Sequence, residues 1–275
     1  MRIIVNADDF GLNHNRNVAV DLCFKNKHVT QGSIIVNTDF SDEGIQMGKD
    51  GGYLPHIGLH INLTYGKPLT KDILDTDYCE NGLFVSSNPR SKDRVFRKDN
   101  VEIVRKELNA QFEKFFDYKC TFHHVDAHND ILFNREIWEA IRPLLSKYKI
   151  AHIRGVEPYL MGYYRHSIPS YLPIKYYFLY RYLTLNKIGD CKILHGGRNV
   201  NQFYVDYELL RRGWKPDRLF GNLKMKEDYE VITHPDFQEG VIVDLTNFDK
   251  DKKVYAYSDT VKKLSGFEKI TYNEL

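Results

Sequence analysis

A chain of 275 residues has room for one large α/β barrel or for two smaller domains. Its 42% hydrophobic and 28% charged residues are ordinary for a soluble globular protein. Lys and Arg total 39 against 37 Asp and Glu, a net charge of +2 with no long single-sign block, which argues against nucleic acid or a membrane surface as partner.

Residues 2–7 are an apolar run ending in polar residues, the pattern of a strand buried on both faces of a parallel sheet. The run is too short for a signal peptide, so the fold is expected to begin with this strand, which leads into Asp8-Asp9-Phe10-Gly11. Residues 13–27 have helical character with Val18, Leu22 and Cys23 on one side, and residues 29–37 return as a strand. A second helix is expected over 39–49, stopped by Gly51-Gly52, before a third strand, Ile57-Gly58-Leu59-His60-Ile61-Asn62-Leu63. Residues 64–98 break the pattern with Gly, Pro, Ser and charge, and are expected to be an inserted loop or lid. An amphipathic helix follows over 100–116, with Val101, Val104, Leu108, Phe112 and Phe115 on one stripe.

Next comes the densest polar cluster of the chain, His123-His124-Val125-Asp126-Ala127-His128-Asn129-Asp130, after Cys120-Thr121-Phe122. It reads as the exit of a buried strand, where His124, Asp126, His128 and Asp130 share one face for as long as the chain stays extended. Beyond it the pattern predicts a helix over 135–148, a strand over 150–154 ending in Arg154, and a sixth strand, Lys192-Ile193-Leu194-His195. A helix over 201–212, a late strand over 228–235 carrying His234, and a closing segment with a short helix near 259–264 complete the reading. The segment at about 157–187 is rich in tyrosine, which suits a sugar-stacking platform but more commonly packs a helix against the body.

The four cysteines, Cys23, Cys79, Cys120 and Cys191, form no CxxC pair, so a reduced, cytoplasmic home fits best. The most apolar stretch, residues 171–185, is interrupted by Pro173, Lys175 and Arg181 and is too short to cross a bilayer. Strand and helix alternate along one undivided chain, so the expected fold is α/β: a (β/α) barrel or incomplete barrel resembling a TIM barrel, as a single domain over 1–275. Asp8, Asp9, His60, the cluster from His124 to Asp130, Arg154, His195 and His234 all fall at the C-terminal ends of predicted strands, where barrel enzymes gather their active sites. Two histidines and a carboxylate suit one catalytic divalent metal, Mg²⁺ or Zn²⁺, with a second carboxylate free to take a proton. Strand parity alone does not say which of Asp8 and Asp9 does which. His124, Asp126, Asp130 and His195 are expected around the substrate or behind the metal ligands.

Asn6-Ala7-Asp8-Asp9-Phe10-Gly11, Gly58-Leu59-His60-Ile61-Asn62-Leu63, His124-Val125-Asp126-Ala127-His128 and Thr233-His234-Pro235 resemble the four ordered signatures of the YdjC-like carbohydrate deacetylases. The resemblance runs from residue 2 to about residue 240. It implies a barrel-like fold and metal-dependent removal of acetyl groups from N-acetylated sugars. It also implies that Asp9, His60 and His128 bind the metal, that Asp8 is the general base, and that His234 is an acid or substrate contact. Ile153-Arg154-Gly155-Val156-Glu157 resembles the family's strand-end arginine motif and implies an active-site place for Arg154. The chain departs from the pattern at Asp130, where the family commonly has histidine, and around Gly155-Val156, where it usually has proline. An acetylated amino sugar is thus the expected partner, with homodimerisation left open.

Two other readings stand beside this one. Two histidines and a carboxylate also make the site of non-haem iron oxygenases, although those usually carry HxD on a double-stranded β-helix. A sugar-binding module without catalysis would use the tyrosines but leaves the paired Asp8 and Asp9 without a purpose.

Overall fold

The structure is a computed structural model describing residues 2–85, 97–121, 124–154, 191–194, 198–199, 228–245 and 255–274. Its elements in order are β1 (Arg2–Phe10), α1 (His14–Lys25), β2 (Gln31–Ile34), α2 (Ser41–Asp50), β3 (Ile57–Ile61), the hairpin β4 (Cys79–Glu80) and β5 (Leu83–Phe84), and α3 (Lys98–Asp117). There follow β6 (His124–Ala127), α4 (Arg135–Lys147), β7 (His152–Arg154), β8 (Lys192–Leu194), β9 (Arg198–Asn199) and β10 (Asp228–Thr233). Last come β11 (Pro235–Gln238), β12 (Val241–Asp244), β13 (Tyr255–Ala256), α5 (Tyr257–Leu264) and β14 (Glu268–Lys269). The helix expected over 201–212, the tyrosine-rich segment and His195 lie outside the described residues.

One sheet organises the molecule. Its strands run β8-β7-β6-β3-β2-β1-β10-β9, with β14 also paired to the start of β1, and every pairing is parallel. The sheet is strongly curled. Arg154 on β7 reaches Glu230 on β10 at 2.9 Å, although the two strands stand five places apart in the order. In a flat sheet that separation would be ~24 Å, far beyond the reach of two side chains. Among the described residues β8 and β9 are the two ends of the path and do not pair, so the structure is an incomplete (β/α) barrel. An all-parallel sheet of this kind differs from the double-stranded β-helix of the oxygenase alternative.

Strand alternation divides the sheet into an apolar outside and a polar inside. Ile3, Val5, Ala7, Ile57, Leu59, Ile61, Val125, Ala127 and Ile153 point outward into the main core with the helices. The apolar stripe of α3, Val101, Val104, Leu108, Phe112 and Phe115, is buried in that core as its periodicity predicts. Each such side chain contributes roughly 1.5–3 kcal/mol by leaving water, so Leu108→Asp would break the contact outright. The intervening strand residues, Asn6, Asp8, Ser33, His60, His124, Asp126 and Glu230, are buried on the concave side. The concave side is closed at the strands' N-terminal end by Tyr272, whose ring stacks on His124 with centroids 4.0 Å apart and packs with Ile4 and Ile270.

Three expectations change. The strand predicted over 29–37 is paired only over Gln31–Ile34. The inserted loop holds a 3₁₀ turn at Asp72–Asp75 and the β4–β5 hairpin, and its described part is fastened to α3: buried Glu107 accepts from Leu69 N and Thr70 N at 3.0 and 2.8 Å, while Gln111 pairs with both backbone polar groups of Asn62 just before the loop. The extended chain of the central cluster ends at Ala127, because His128–Phe133 form a 3₁₀ helix and Asn129 is left-handed at φ 61°. The shared face predicted through Asp130 therefore stops short of it. Asp130 lies within the 3₁₀ helix with its side chain outside the described residues, and α4 is capped by Asn134, whose side chain accepts from Glu136 N at 2.8 Å.

Candidate metal centre

The site begins with a backbone feature of β1. Asp8 and Asp9 are neighbours on a strand and would ordinarily face opposite ways, but Asp9 adopts φ 65° and the β1–β2 register shifts between Ala7 and Phe10. A left-handed aspartate costs roughly 1–3 kcal/mol and must be held by its surroundings. Gly11 at φ 81° completes the turn, and a Cβ there would stand 2.6 Å from the Ile35 carbonyl. The result is that both carboxylates, each 3% exposed, are aimed into the same hollow.

His60 is the hinge of the arrangement. Its Nδ1 lies 2.6 Å from Asp126 Oδ1 and 3.3 Å from Ser33 Oγ, while its Nε2 lies 3.3 Å from Asp9 Oδ1. His128 Nδ1 approaches the same Asp9 oxygen at 2.7 Å. Asp9, His60 and His128 thus offer three ligand atoms within 4.8 Å of one another. Burial disfavours charge on the His60 ring, but Asp126 and Asp9 outweigh it and push the ring up to about 10. A divalent ion at Nε2 would displace that proton, while the Asp126 contact fixes the ring's orientation as carboxylates do behind metal-bound imidazoles. Burial would likewise raise the Asp9 carboxyl, but His128 and then His60 hold it well below the usual carboxylate range. The donors present, one carboxylate oxygen and two imidazole nitrogens with a second carboxylate at hand, fit a divalent ion.

Asp8 has a different set of partners. Arg154 donates to both of its oxygens, at 2.6 and 2.9 Å, and Asn6 Nδ2 donates to Oδ1 at 2.7 Å. Burial works against ionisation here too, yet Arg154 and then His60 keep Asp8 well below the carboxylate range. The same guanidinium donates to Glu230 and lies 2.8 Å from Asp126, so one cation serves three buried carboxylates. His124, Asp126 and Glu230 also come close enough together to hold an ion, but Arg154 already supplies the positive charge between Asp126 and Glu230.

His234, 27% exposed in its side chain, stands at the exit of β10 with Nε2 4.0 Å from Asp9 Oδ2 and its backbone N held by Asp244 at 3.1 Å. The structure therefore gathers Asp8, Asp9, His60, Asp126, His128, Arg154 and His234 into one hollow. His124 is instead fully buried on the floor against Tyr272, and Gly58 makes room for it: a Cβ on Gly58 would come within 2.9 Å of its Nδ1. Burial pushes His124 down to about 3. Asn6, Ser33, Glu230 and Arg16 join the site without having been anticipated. Glu230 carried a usable signal, since a lone carboxylate inside the β-prone run Tyr229-Glu230-Val231-Ile232 must find a partner when buried.

The YdjC-like protein family matches residues 2–262. A carbohydrate deacetylase of Thermoanaerobacter pseudethanolicus is 27% identical over 258 residues, 92% of this chain and 88% of that one. A chitooligosaccharide deacetylase of Proteus mirabilis is 30% identical over 142 residues, covering 50% of this chain and 53% of the relative. A carbohydrate deacetylase of Clostridium beijerinckii is 29% identical, and the match spans 62% of its length, short of two thirds. Among solved structures, an Enterococcus faecalis protein described as a candidate cellobiose-phosphate cleavage protein shares the fold at a TM-score of 0.65 and 16% identity, covering 99% of this chain and 98% of that one. Among the described residues no helix is long and apolar enough to cross a membrane. With a family match over residues 2–262, nearly its whole length, the chain belongs to the YdjC-like protein family.

Proposed function

We propose that this chain is a metal-dependent carbohydrate deacetylase, acting as one catalytic domain to remove acetyl groups from N-acetylated amino sugars. The observation that carries the reading is the His60 ring, oriented by Asp126 on one nitrogen and facing Asp9 and His128 with the other. The names of the relatives supply the substrate class. Asp9, His60 and His128 would hold a Zn²⁺ or Mg²⁺ ion, which when bound acidifies water and polarises a carbonyl.

The protein's own groups divide the remaining work. Asp8, kept ionised by Arg154, takes the proton of the attacking water. Arg154 fixes both Asp8 oxygens and so fixes the direction from which that proton is accepted. His234, at the more open side of the hollow, donates a proton to the leaving amine, so that the products are acetate and an amino sugar. Release of acetate from N-acetylglucosamine oligomers, measured with and without divalent ion and repeated with His60→Ala, tests the reading. Acetate release that is indifferent to metal and to His60 would refute it.

A further inference from the structure

Arg16 is placed against the preference of its own helix. It occupies the first turn of α1, where the unpaired backbone N–H groups favour anions, and it is 7% exposed. Its position is therefore set by tertiary partners. Nε lies 3.1 Å from Asp236 Oδ2, Nη1 donates to the Pro235 carbonyl at 3.4 Å, and Nη2 lies 3.6 Å from Asp9 Oδ2. These partners come from two segments: the strained aspartate of β1, and the residues immediately after His234.

The two oxygens of Asp9 consequently face different company. Oδ1 meets His128 and His60, whereas Oδ2 meets Arg16 and, at 4.0 Å, His234. We propose that Arg16 is a positioning residue that holds Asp9 Oδ2 away from the metal and presents Oδ1 alone to it, with Asp236 locking the guanidinium in place. The proposal rests on the metal reading above. It gives the Arg16–Asp236 pair a purpose beyond stability, for buried pairs of this kind often add little to stability. It also ties the metal carboxylate to the strand end that carries His234, so that the two shift together.

The direction of the effect distinguishes positioning from charge. Removing a cation 3.6 Å from Asp9 would by charge alone tighten the binding of a divalent ion, whereas losing its hold on the carboxylate loosens it. Calorimetric titration of the metal-free protein with Zn²⁺ alone should show binding weakened ~10-fold or more in Arg16→Met, and weakened also in Arg16→Lys, which keeps the charge but loses the three-way fork. Unchanged or tighter binding in Arg16→Met, or unchanged binding in Arg16→Lys, overturns the proposal. A purely structural Arg16 would lower the melting temperature of the metal-free protein and leave the Zn²⁺ affinity of the folded protein alone. Should Arg16→Met fail to fold, Arg16→Met combined with Asp236→Leu removes both buried charges and is read in the same way. If His60→Ala keeps its Zn²⁺, the metal reading falls and takes the proposal with it. If His60→Ala loses Zn²⁺ and Arg16→Met does not, the role of Arg16 alone falls.

Discussion

Two adjacent aspartates acquire different chemistry here because one backbone angle differs. Asp9, turned left-handed, meets imidazoles; Asp8, left on the strand, meets a guanidinium and an amide. On the proposed reading, Asp8→Asn should keep the divalent ion while losing turnover by ~10²-fold or more, the usual scale for removing a general base. Asp9→Asn should lose the metal, and equal metal content in the two variants would contradict the division. His124 gives a second test at this scale. Burial keeps its ring neutral down to about 3, while in the unfolded chain it takes up a proton below its ordinary 6.5. Its contribution is thus neutral above pH 6.5, and stability falls as pH drops from there toward 3, by up to about 1.4 kcal/mol per pH unit. Urea unfolding at pH 7 and pH 5 should show a shallower acid loss in His124→Gln than in the parent. The residues legible in the sequence were those whose type announces chemistry at a strand exit, such as His60, His128 and His234. Ser33 and Arg16 meet the site only through neighbours brought from elsewhere, which no spacing along the chain encodes, whereas Asn6 meets Asp8 two residues on along the same strand face.

Elements with strong periodicity were legible to within a few residues. α3 and α4 were expected over 100–116 and 135–148 and are observed at Lys98–Asp117 and Arg135–Lys147, because their apolar stripes must face the sheet. The end of β6 was not legible, since the left-handed turn at Asn129 falls on a residue type that tolerates it without requiring it. The anchor of the inserted segment was not legible for a related reason: its partner, Glu107, looks like an ordinary surface carboxylate on an amphipathic helix. Glu107 in fact accepts from Leu69 N, Thr70 N, Thr70 Oγ1 and Gln111. Glu107→Ala leaves the Leu69 and Thr70 donors without this acceptor and should lower stability by about 3 kcal/mol in denaturant unfolding. It should also expose the segment to protease before the whole molecule unfolds. Cutting that requires global unfolding would show that other contacts hold this segment.

On the scale of the molecule, Arg154 fastens the curl of the sheet by joining β7 to β1, β6 and β10 at once. Arg154→Met leaves Asp8, Asp126 and Glu230 buried without their shared cation and should cost ~3–5 kcal/mol, read from thermal or urea unfolding. Arg154→Lys should recover only part of this, because a point charge cannot serve three carboxylates as a planar fork does. Full recovery by lysine would mean that charge alone closes the curl.

The pairing of β1 with both β10 and β14 also sets a clock on the protein's birth. β1 is joined in the sheet by strands from the far side of the sequence, and Glu230 is made 222 residues after Asp8. At 5–20 residues per second the ribosome needs roughly 10–45 s to span that gap. Throughout it β1 has no partner on the β10 side, and Ile3, Ile4 and Val5 form an apolar edge suited to wrong pairings. The hollow that gathers Asp8, Asp9 and His234 stays unassembled until β10 and the turn after it, which bears His234, have emerged, so on the proposed reading synthesis itself delays the onset of activity.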